Sequence, residues 1–373
     1  MKILLVGNYL PDKQKSMSAF AKMMEQTLIA YGHDVKLLTP SVRLVPKGKA
    51  LVGIWKWVAY LDKYLLFPFE LKKVASQYDL VHICDHSNAV YTLFLKRFST
   101  IVTCHDVLAN EYARNLVPNV KVGFSGKVLQ WFIFKGLNCA SIVVCDSAYT
   151  KTHLINLGWY GKDISIAWLA LNEDFAPTDQ YQVKNTKFNL GLQPDDLYFI
   201  HVGSDLPRKN RFFVLKTFNE VKKMSPDNKL KLVFVGPRFS NVMHEYIKLM
   251  NLSDSVLSIQ DAPHNELKAL YSGALASIFP SLQEGFGWPI IEAQACGCPV
   301  FTSNLAPMTE VGGDGAIYID PYDEVSSATI IHESLSNLEM VRKSGFRNVR
   351  KFSKQNMMKT YLAAYERAVD VAQ

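Results

Sequence analysis

The chain has 373 residues, of which 49% are hydrophobic and 20% charged. That composition excludes a disordered or collagen-like chain, and the length fits two or three domains at about 150 residues each. A formal charge of +7, from 41 basic and 34 acidic side chains, admits anionic partners; with no dominant basic block, nucleic acid is not among those expected.

Lys2 precedes a short apolar run, Ile3 to Val6, that stops at Gly7-Asn8. It is too short for the core of a signal peptide. No later stretch approaches about 20 consecutive apolar residues. The expectation is a soluble or peripheral protein in the cytoplasm.

Val- and Ile-rich runs then alternate with helix-length segments. Strands are predicted at 3–6, 35–38, 80–83, 99–103, 141–144 and 164–167, with helices at 18–31 and 127–137. Residues 173–193 are rich in Asp, Asn, Gln, Pro and Thr, show little periodicity, and read as a linker. The pattern resumes with strands at 197–202, 230–235, 256–259, 276–279 and 299–302. Helices are predicted at 210–223, 242–250, 266–271 and 289–296, and a long one from Asn356 to the end. Continuous apolar strands joined by helices predict parallel sheets covered on both faces. The fold class is α/β, with two doubly wound Rossmann-like domains at 1–172 and 194–353. Such domains bind ligands at the carboxyl ends of their strands, and two facing each other make a cleft.

The six cysteines are Cys84, Cys104, Cys139, Cys145, Cys296 and Cys298. Cys296-Gly-Cys298 is too tight for a zinc pair, so they read as buried thiols in a reducing compartment. Gly7-Asn-Tyr-Leu-Pro-Asp12 and Gly203-Ser-Asp-Leu-Pro-Arg-Lys-Asn210 lack the G-x-G-x-x-G fingerprint, and no P-loop occurs. These absences exclude the common dinucleotide and NTP sites.

The segment richest in chemistry is Pro280-Ser-Leu-Gln-Glu-Gly-Phe-Gly-Trp-Pro-Ile-Ile-Glu-Ala-Gln-Ala-Cys-Gly-Cys-Pro-Val300. Gly285 and Gly287 allow close approach of backbone to a ligand. Pro289 suits the first position of a helix, whose free amides form an anion site. Glu284 and Glu292 would both face the strand-end crevice, where carboxylates can grip ribose and sugar hydroxyls. Read alone, the segment also fits a surface loop with Glu292 favoured by the helix dipole.

This string resembles the E-x7-E signature of the retaining glycosyltransferases of family 4 (glycosyl transferases group 1), which have the GT-B fold. The flanking Glu266 to Ala274, Pro307 to Gly315 and Asp320-Pro321 fit the same pattern, and Gly203 to Asn210 resembles the family's G-x4-R-K-N step. The resemblance implies a metal-independent hexosyltransferase that uses a nucleotide sugar, UDP- or GDP-linked, as substrate, with no cofactor. It implies a glycan or lipid-linked acceptor, as in polysaccharide biosynthesis. On the donor side, Arg208 and Lys209 would bind the diphosphate beside Gly203 and Ser204. Glu292 would hold the ribose. Glu284 would hold the transferred sugar with the amides of Phe286 and Gly287, and Gly285 is a further donor-binding candidate. Amides from Trp288 through Pro289 to Ile290 would reach the distal phosphate. Pro237, Ala262 and His264 would border the base.

In the first domain, Thr103-Cys-His105-Asp106 resembles the family's His-Asp step, and His105 would donate a hydrogen bond to a sugar hydroxyl or to backbone near the reacting carbon. A locally satisfied core-edge histidine is the other reading. Gly7, Asn8, Asp85, His86, Asn88, Asp106 and Ser147 are the acceptor-side candidates. The C-terminal helix, 354–373, would cross back onto the first domain. Two departures stand out: the early loop lacks the family's Gly pair, and its usual Gly-Arg is Gly203-Ser204 here. Cys84 to Asn88 and Cys104 to Asp106 superficially resemble a metal cluster but lack paired ligand spacing, so no metal is expected.

Residues 55–73 and 123–135 interleave aromatic residues with lysines. Such segments either lie on an anionic membrane face or pack their aromatics in the core. Rival functions are an epimerase or phosphorylase on the same fold, and a non-catalytic sugar-nucleotide-binding protein. No pattern for a pyridoxal-binding lysine supports a phosphorylase. Arg208, Lys209, Glu284 and Glu292 argue against a non-catalytic protein.

Overall fold

The computed structural model describes residues 1–46, 48–118, 120–225 and 229–370. The chain divides into two compact units, Met1–Asn172 with Lys354–Gln373, and Glu173–Ser353.

The first unit holds β1 (Lys2–Val6), β2 (Asp34–Leu38), β3 (Leu80–Ile83), β4 (Thr100–Cys104), β5 (Ile142–Cys145) and β6 (Ile164–Ile166). They form one sheet in the order β2-β1-β3-β4-β5-β6, and every pair is parallel. All residues of β3, β4 and β5 are buried. That is why these strands are mostly apolar rather than alternating, with His82, Thr100 and Thr103 as buried polar exceptions. The chain leaves β1 toward β2 and returns to β3 on the other side. The switch point is therefore between β1 and β3, and a ligand crevice opens beyond their carboxyl ends.

The helix Lys354–Asp370 belongs to this unit. Tyr361 pairs its hydroxyl with Thr103 Oγ1 at 2.9 Å, and Tyr365 pairs with His82 Nδ1 at 2.8 Å. His82 Nε2 meets Thr103 Oγ1 at 2.8 Å. Burial pushes His82 down to about 3, so it is neutral. At the surface, Arg367 donates to Asp163 and Ser165. Residues 371–373 of the expected helix lie outside the described residues.

The second unit holds β7 (Leu197–Val202), β8 (Leu230–Val235), β9 (Val256–Ile259), β10 (Ala276–Phe279), β11 (Val300–Ser303) and β12 (Ala316–Ile319). The order is β12-β11-β10-β7-β8-β9, again parallel throughout. β12 is an edge strand with only Ile319 buried, so it lacks the continuous apolar signal of its neighbours. Here the switch point lies between β7 and β10. Residues 173–193 lie within this unit and carry the helix Gln180–Asn189. Its only buried residues are Val183 and Lys187, which explains the weak periodicity.

All six cysteines are free thiols. Cys139 is exposed rather than buried, because it ends the helix Phe124–Cys139 at the surface. The basic-aromatic segments divide: Phe67 and Phe134 enter the core, whereas Trp57, Phe69, Phe124, Trp131 and Phe132 are exposed. Among the described residues, no helix is long and apolar enough to cross a membrane.

Candidate active site

The switch point of the second sheet brings two loops together. One leaves β7 as Gly203-Ser204 and tightens into a 3-10 turn at Pro207–Lys209. The other leaves β10 at Pro280 and runs to the helix Trp288–Ala295. Leu282 donates its amide to the Arg208 carbonyl at 2.8 Å. Asn210, in the left-handed region at φ 56°, donates to the carbonyls of Pro280 and Pro321. The two loops are thereby clamped along each other.

The clamp produces one charge cluster. Arg208 donates to Glu284 Oε2 at 2.5 Å and to the Gln283 carbonyl at 2.8 Å. Lys209 Nζ donates to Glu284 Oε1 at 2.6 Å and stands 5.1 Å from the Phe279 ring centre. Glu284 is only 6% exposed. Burial pushes its carboxyl up, but Lys209 and Arg208 outweigh that and hold it below the usual range. The cluster is two cations about one buried carboxylate, a net positive site at a strand-end crevice.

Glu292 lies in the helix Trp288–Ala295 and accepts from the Tyr271 hydroxyl at 3.3 Å. Burial pushes it up to about 7, against the opposing pull of Tyr271 and Lys209. Lys209 thus acts on both glutamates.

Several expected contacts take a different form. Pro289 is the second helical residue, not the first, because the helix begins at Trp288. Pro289 has no amide hydrogen, and the Ile290 amide already donates to the Gly287 carbonyl at 3.0 Å. Neither amide is available to a distal phosphate. Gly287, at φ 112°, makes that turn possible. The Phe286 side chain is buried against Trp288 and Phe352, so only its backbone faces the loop.

The base-side candidates lie on neighbouring strand ends. Pro237 follows β8, and its carbonyl accepts from Arg211 at 2.8 Å. Ala262 follows β9, which pairs with β8. His264 opens the next helix and is held by Glu173 at 2.7 Å and by the Asp174 carbonyl.

Sequence reasoning missed Gly236 and His201, which shape this floor. Gly236 has φ +148°, and a Cβ there would stand 2.1 Å from the Gly203 carbonyl oxygen. His201 is buried and bound through Nδ1 to the Ile278 carbonyl. Burial lowers it to about 4.

The first unit gathers a polar group at the carboxyl ends of β1, β3, β4 and β5. Gly7 follows β1, and its amide donates to the Leu38 carbonyl. Asn8 Nδ2 donates to Asp85 Oδ2 and to Gln14. Asp85 also accepts from Ser87. Burial pushes Asp85 up, but His86, His105 and these donors bring it below the ordinary range. His86 stands 3.4 Å from Asp85 and 3.9 Å from Asp106. Four buried atoms of this group, Asn8 Oδ1, His86 Nδ1, Asn88 Nδ2 and Asp146 Oδ1, have no hydrogen-bond partner among the described residues.

His105 sits among them with both ring nitrogens engaged. Nδ1 meets Asp146 Oδ2 at 2.6 Å and Nε2 meets the Cys84 carbonyl at 2.8 Å. Burial alone would lower its pKa. Asp146, Asp85 and the carbonyl overcome that and raise it to about 9. The ring is therefore a fixed cation bonded to backbone, with neither nitrogen left to donate to a sugar hydroxyl. Ser147, expected on the acceptor side, is fully buried and caps the helix Ala148–Asn156 by accepting from the Thr150 amide. Among the described residues, no three His, Cys, Asp or Glu side chains are grouped to hold a metal ion.

With this geometry in place, comparison with known proteins becomes specific. Residues 182–347 match the family described as glycosyl transferases group 1. Residues 17–170 match glycosyltransferase family 4. The O-antigen chain mannosyltransferase B of Escherichia coli is 27% identical over 277 residues, 71% of this chain and 70% of that protein. The O-antigen chain mannosyltransferase RfbU of Salmonella typhimurium is 30% identical over 237 residues, 63% of this chain and 60% of that protein. The Anabaena protein HepE, solved with UDP and glucose, aligns with a TM-score of 0.72 over 98% of each chain at 16% identity. Matched along most of its length by these two families, the chain belongs to the group 1 glycosyltransferases, hexosyltransferase-type enzymes of the GT-B fold.

Proposed function

We propose that the protein moves a hexosyl group from a nucleoside diphosphate sugar to a glycan or lipid-linked hydroxyl, with retention at the anomeric carbon and without a metal. The observation that carries this reading is the Arg208–Glu284–Lys209 cluster at the switch point of the second sheet. A departing diphosphate develops negative charge, and two fixed cations are placed to stabilise it. They supply the charge that a metal would otherwise bring. Glu284, held ionised between them, accepts hydrogen bonds from the transferred sugar. Glu292 accepts from the ribose hydroxyls. Attack on the leaving face is the course that the family resemblance implies.

The acceptor would lie against the first unit's polar group, where Asn8, Asn88 and Asp146 each keep an unpartnered atom. Such atoms are costly when buried and suit a hydroxyl-rich ligand. The family resemblance implies UDP- or GDP-linked donors, and the similarity to O-antigen mannosyltransferases puts mannosyl conjugates first among those to try. The place of action would be the cytoplasmic face of a membrane, where lipid-linked acceptors stand.

The test is a donor panel of UDP-, GDP- and ADP-sugars, read by nucleotide release with an added lipid-linked glycan, with and without EDTA. The product's anomeric configuration is read by NMR. Transfer with retention, unaffected by EDTA, supports the reading. An inverted product or EDTA-sensitive transfer overturns the corresponding part. Donor isomerisation without transfer points to an epimerase.

A further inference from the structure

An apolar groove in the first unit, about 520 Å³, lies among the helices Ile54–Leu61 and Phe124–Cys139 and the turn His86–Phe94. Trp57, Tyr64, Phe94, Phe124, Val128 and Phe132 line it, and among the described residues no charged one does. Apart from Tyr64, which packs partly against the core, these side chains are exposed. Phe124 is 84% exposed and Trp57 56%. Leu61, Leu65 and Phe69, close by in sequence, are exposed as well. A contiguous apolar patch of this kind marks a site of contact.

The chemistry of the lining decides the class of ligand. A sugar or nucleotide would bury hydroxyls and phosphates here with few partners, which is unfavourable. A hydrocarbon chain would bury none.

The surroundings are basic. Lys56 Nζ stands 5.9 Å from the Tyr60 ring centre, and Lys135 Nζ 5.0 Å from that of Trp131. Residues 120–138 carry three lysines, Lys121, Lys127 and Lys135, and no acidic residue. Lysines whose stems run over aromatic rings keep their charges in water while the rings enter an apolar phase. An apolar slot with a positive border is complementary to lipid chains beneath anionic headgroups.

We infer that this face docks on an anionic bilayer surface, and that the groove takes in a lipid hydrocarbon chain. The inference deepens the acceptor reading above and rests on it only for its biological use. Vesicle binding needs neither donor nor transfer, so each can fail alone.

The experiment is co-sedimentation of the full chain with phosphatidylcholine vesicles, with and without about one-third phosphatidylglycerol. Phe124→Ser, Val128→Asp and the pair Lys56→Ala with Lys135→Ala are compared after their melting is shown to be unchanged. Phe124 is so exposed that its replacement does not threaten folding. A vesicle lipid with a photoreactive acyl chain reports where the chain goes.

The expected result is binding that requires the anionic lipid. It weakens at least tenfold in Val128→Asp and severalfold in the other two. Crosslinks fall on residues 90–94 and 124–132. No binding to either vesicle overturns the inference. Binding lost with the lysines but unchanged in Phe124→Ser and Val128→Asp overturns the groove's part in it. Self-association that Val128→Asp abolishes assigns the face to a second copy instead.

Discussion

Asp146 Oδ2 stands 2.6 Å from His105 Nδ1, and the opposite face of the same ring donates to the Cys84 carbonyl at 2.8 Å. Both ring nitrogens thus face acceptors, and the imidazolium is the form that satisfies both. Asp146 is the residue that keeps the positive charge in place.

Replacing Asp146 with Asn should therefore release that proton. His105 is raised from 6.5 to about 9 in the fold. Stability from a raised histidine is fully present below its unfolded pKa and is lost as pH climbs through the folded one. Asp146→Asn should cost about 1.5–3 kcal/mol at pH 6. The deficit should shrink as pH rises from 6.5 through 9. Denaturant melts at pH 6, 7.5 and 9.5 check this, and a deficit independent of pH would refute the charged pair.

Lys209→Ala should weaken binding of the matching nucleoside diphosphate by about ten- to a hundredfold, the worth of a charge-assisted contact. Thermal stabilisation by nucleotide, about 2.7 kcal/mol at 100 times Kd for the wild type, should fall to about 0.4–1.4 kcal/mol in the variant at the same concentration. Full retention would remove the diphosphate role from the cluster. Arg208→Ala tests the other cation in the same way.

Glu292 is raised from 4.5 to about 7 by burial. Its ionised form therefore costs stability, and the cost grows as pH rises from 4.5 through 7. Glu292→Gln should gain stability relative to the wild type over that window. Binding should run the opposite way, because a carboxylate accepts ribose hydroxyls better than a carboxylic acid does. Nucleotide affinity of the wild type should rise about fivefold more than that of the variant between pH 6 and 8. Parallel pH profiles would place the ribose elsewhere.

Gly236→Ala should destabilise the second unit by about 2–4 kcal/mol, through overpacking and a φ that L-residues avoid. The added Cβ would stand 2.1 Å from the Gly203 carbonyl oxygen, which is backbone and cannot turn aside. A melt within 1 °C of the wild type would show that the two strand ends separate easily.

The sheets were legible because parallel strands buried on both faces carry their signal within a few consecutive residues. Leu80–Ile83 and Leu197–Val202 have the bounds that their apolar runs predict. Gln180–Asn189 was not, because it buries little and its apolar spacing is weak. The two clamped loops of the second unit were legible as local strings, Gly203 to Asn210 and Glu284 to Glu292. Asp146, Gly236 and Tyr271 were not, because each acts on a residue far away in the chain. The amide of Ile290 misled for a related reason. A string shows a helix start but not which carbonyl has already taken its hydrogen.

The helix Lys354–Asp370 completes the first unit, yet every residue of the second is made before it. On the ribosome, the half begun first must therefore finish last. Until Tyr361 and Tyr365 emerge, Thr103 and His82 lack the hydroxyls that close their network. A nascent chain paused near residue 353 would hold all of its second unit beside a first unit still short of its last helix. For that interval the early half is the part most in need of a chaperone's protection.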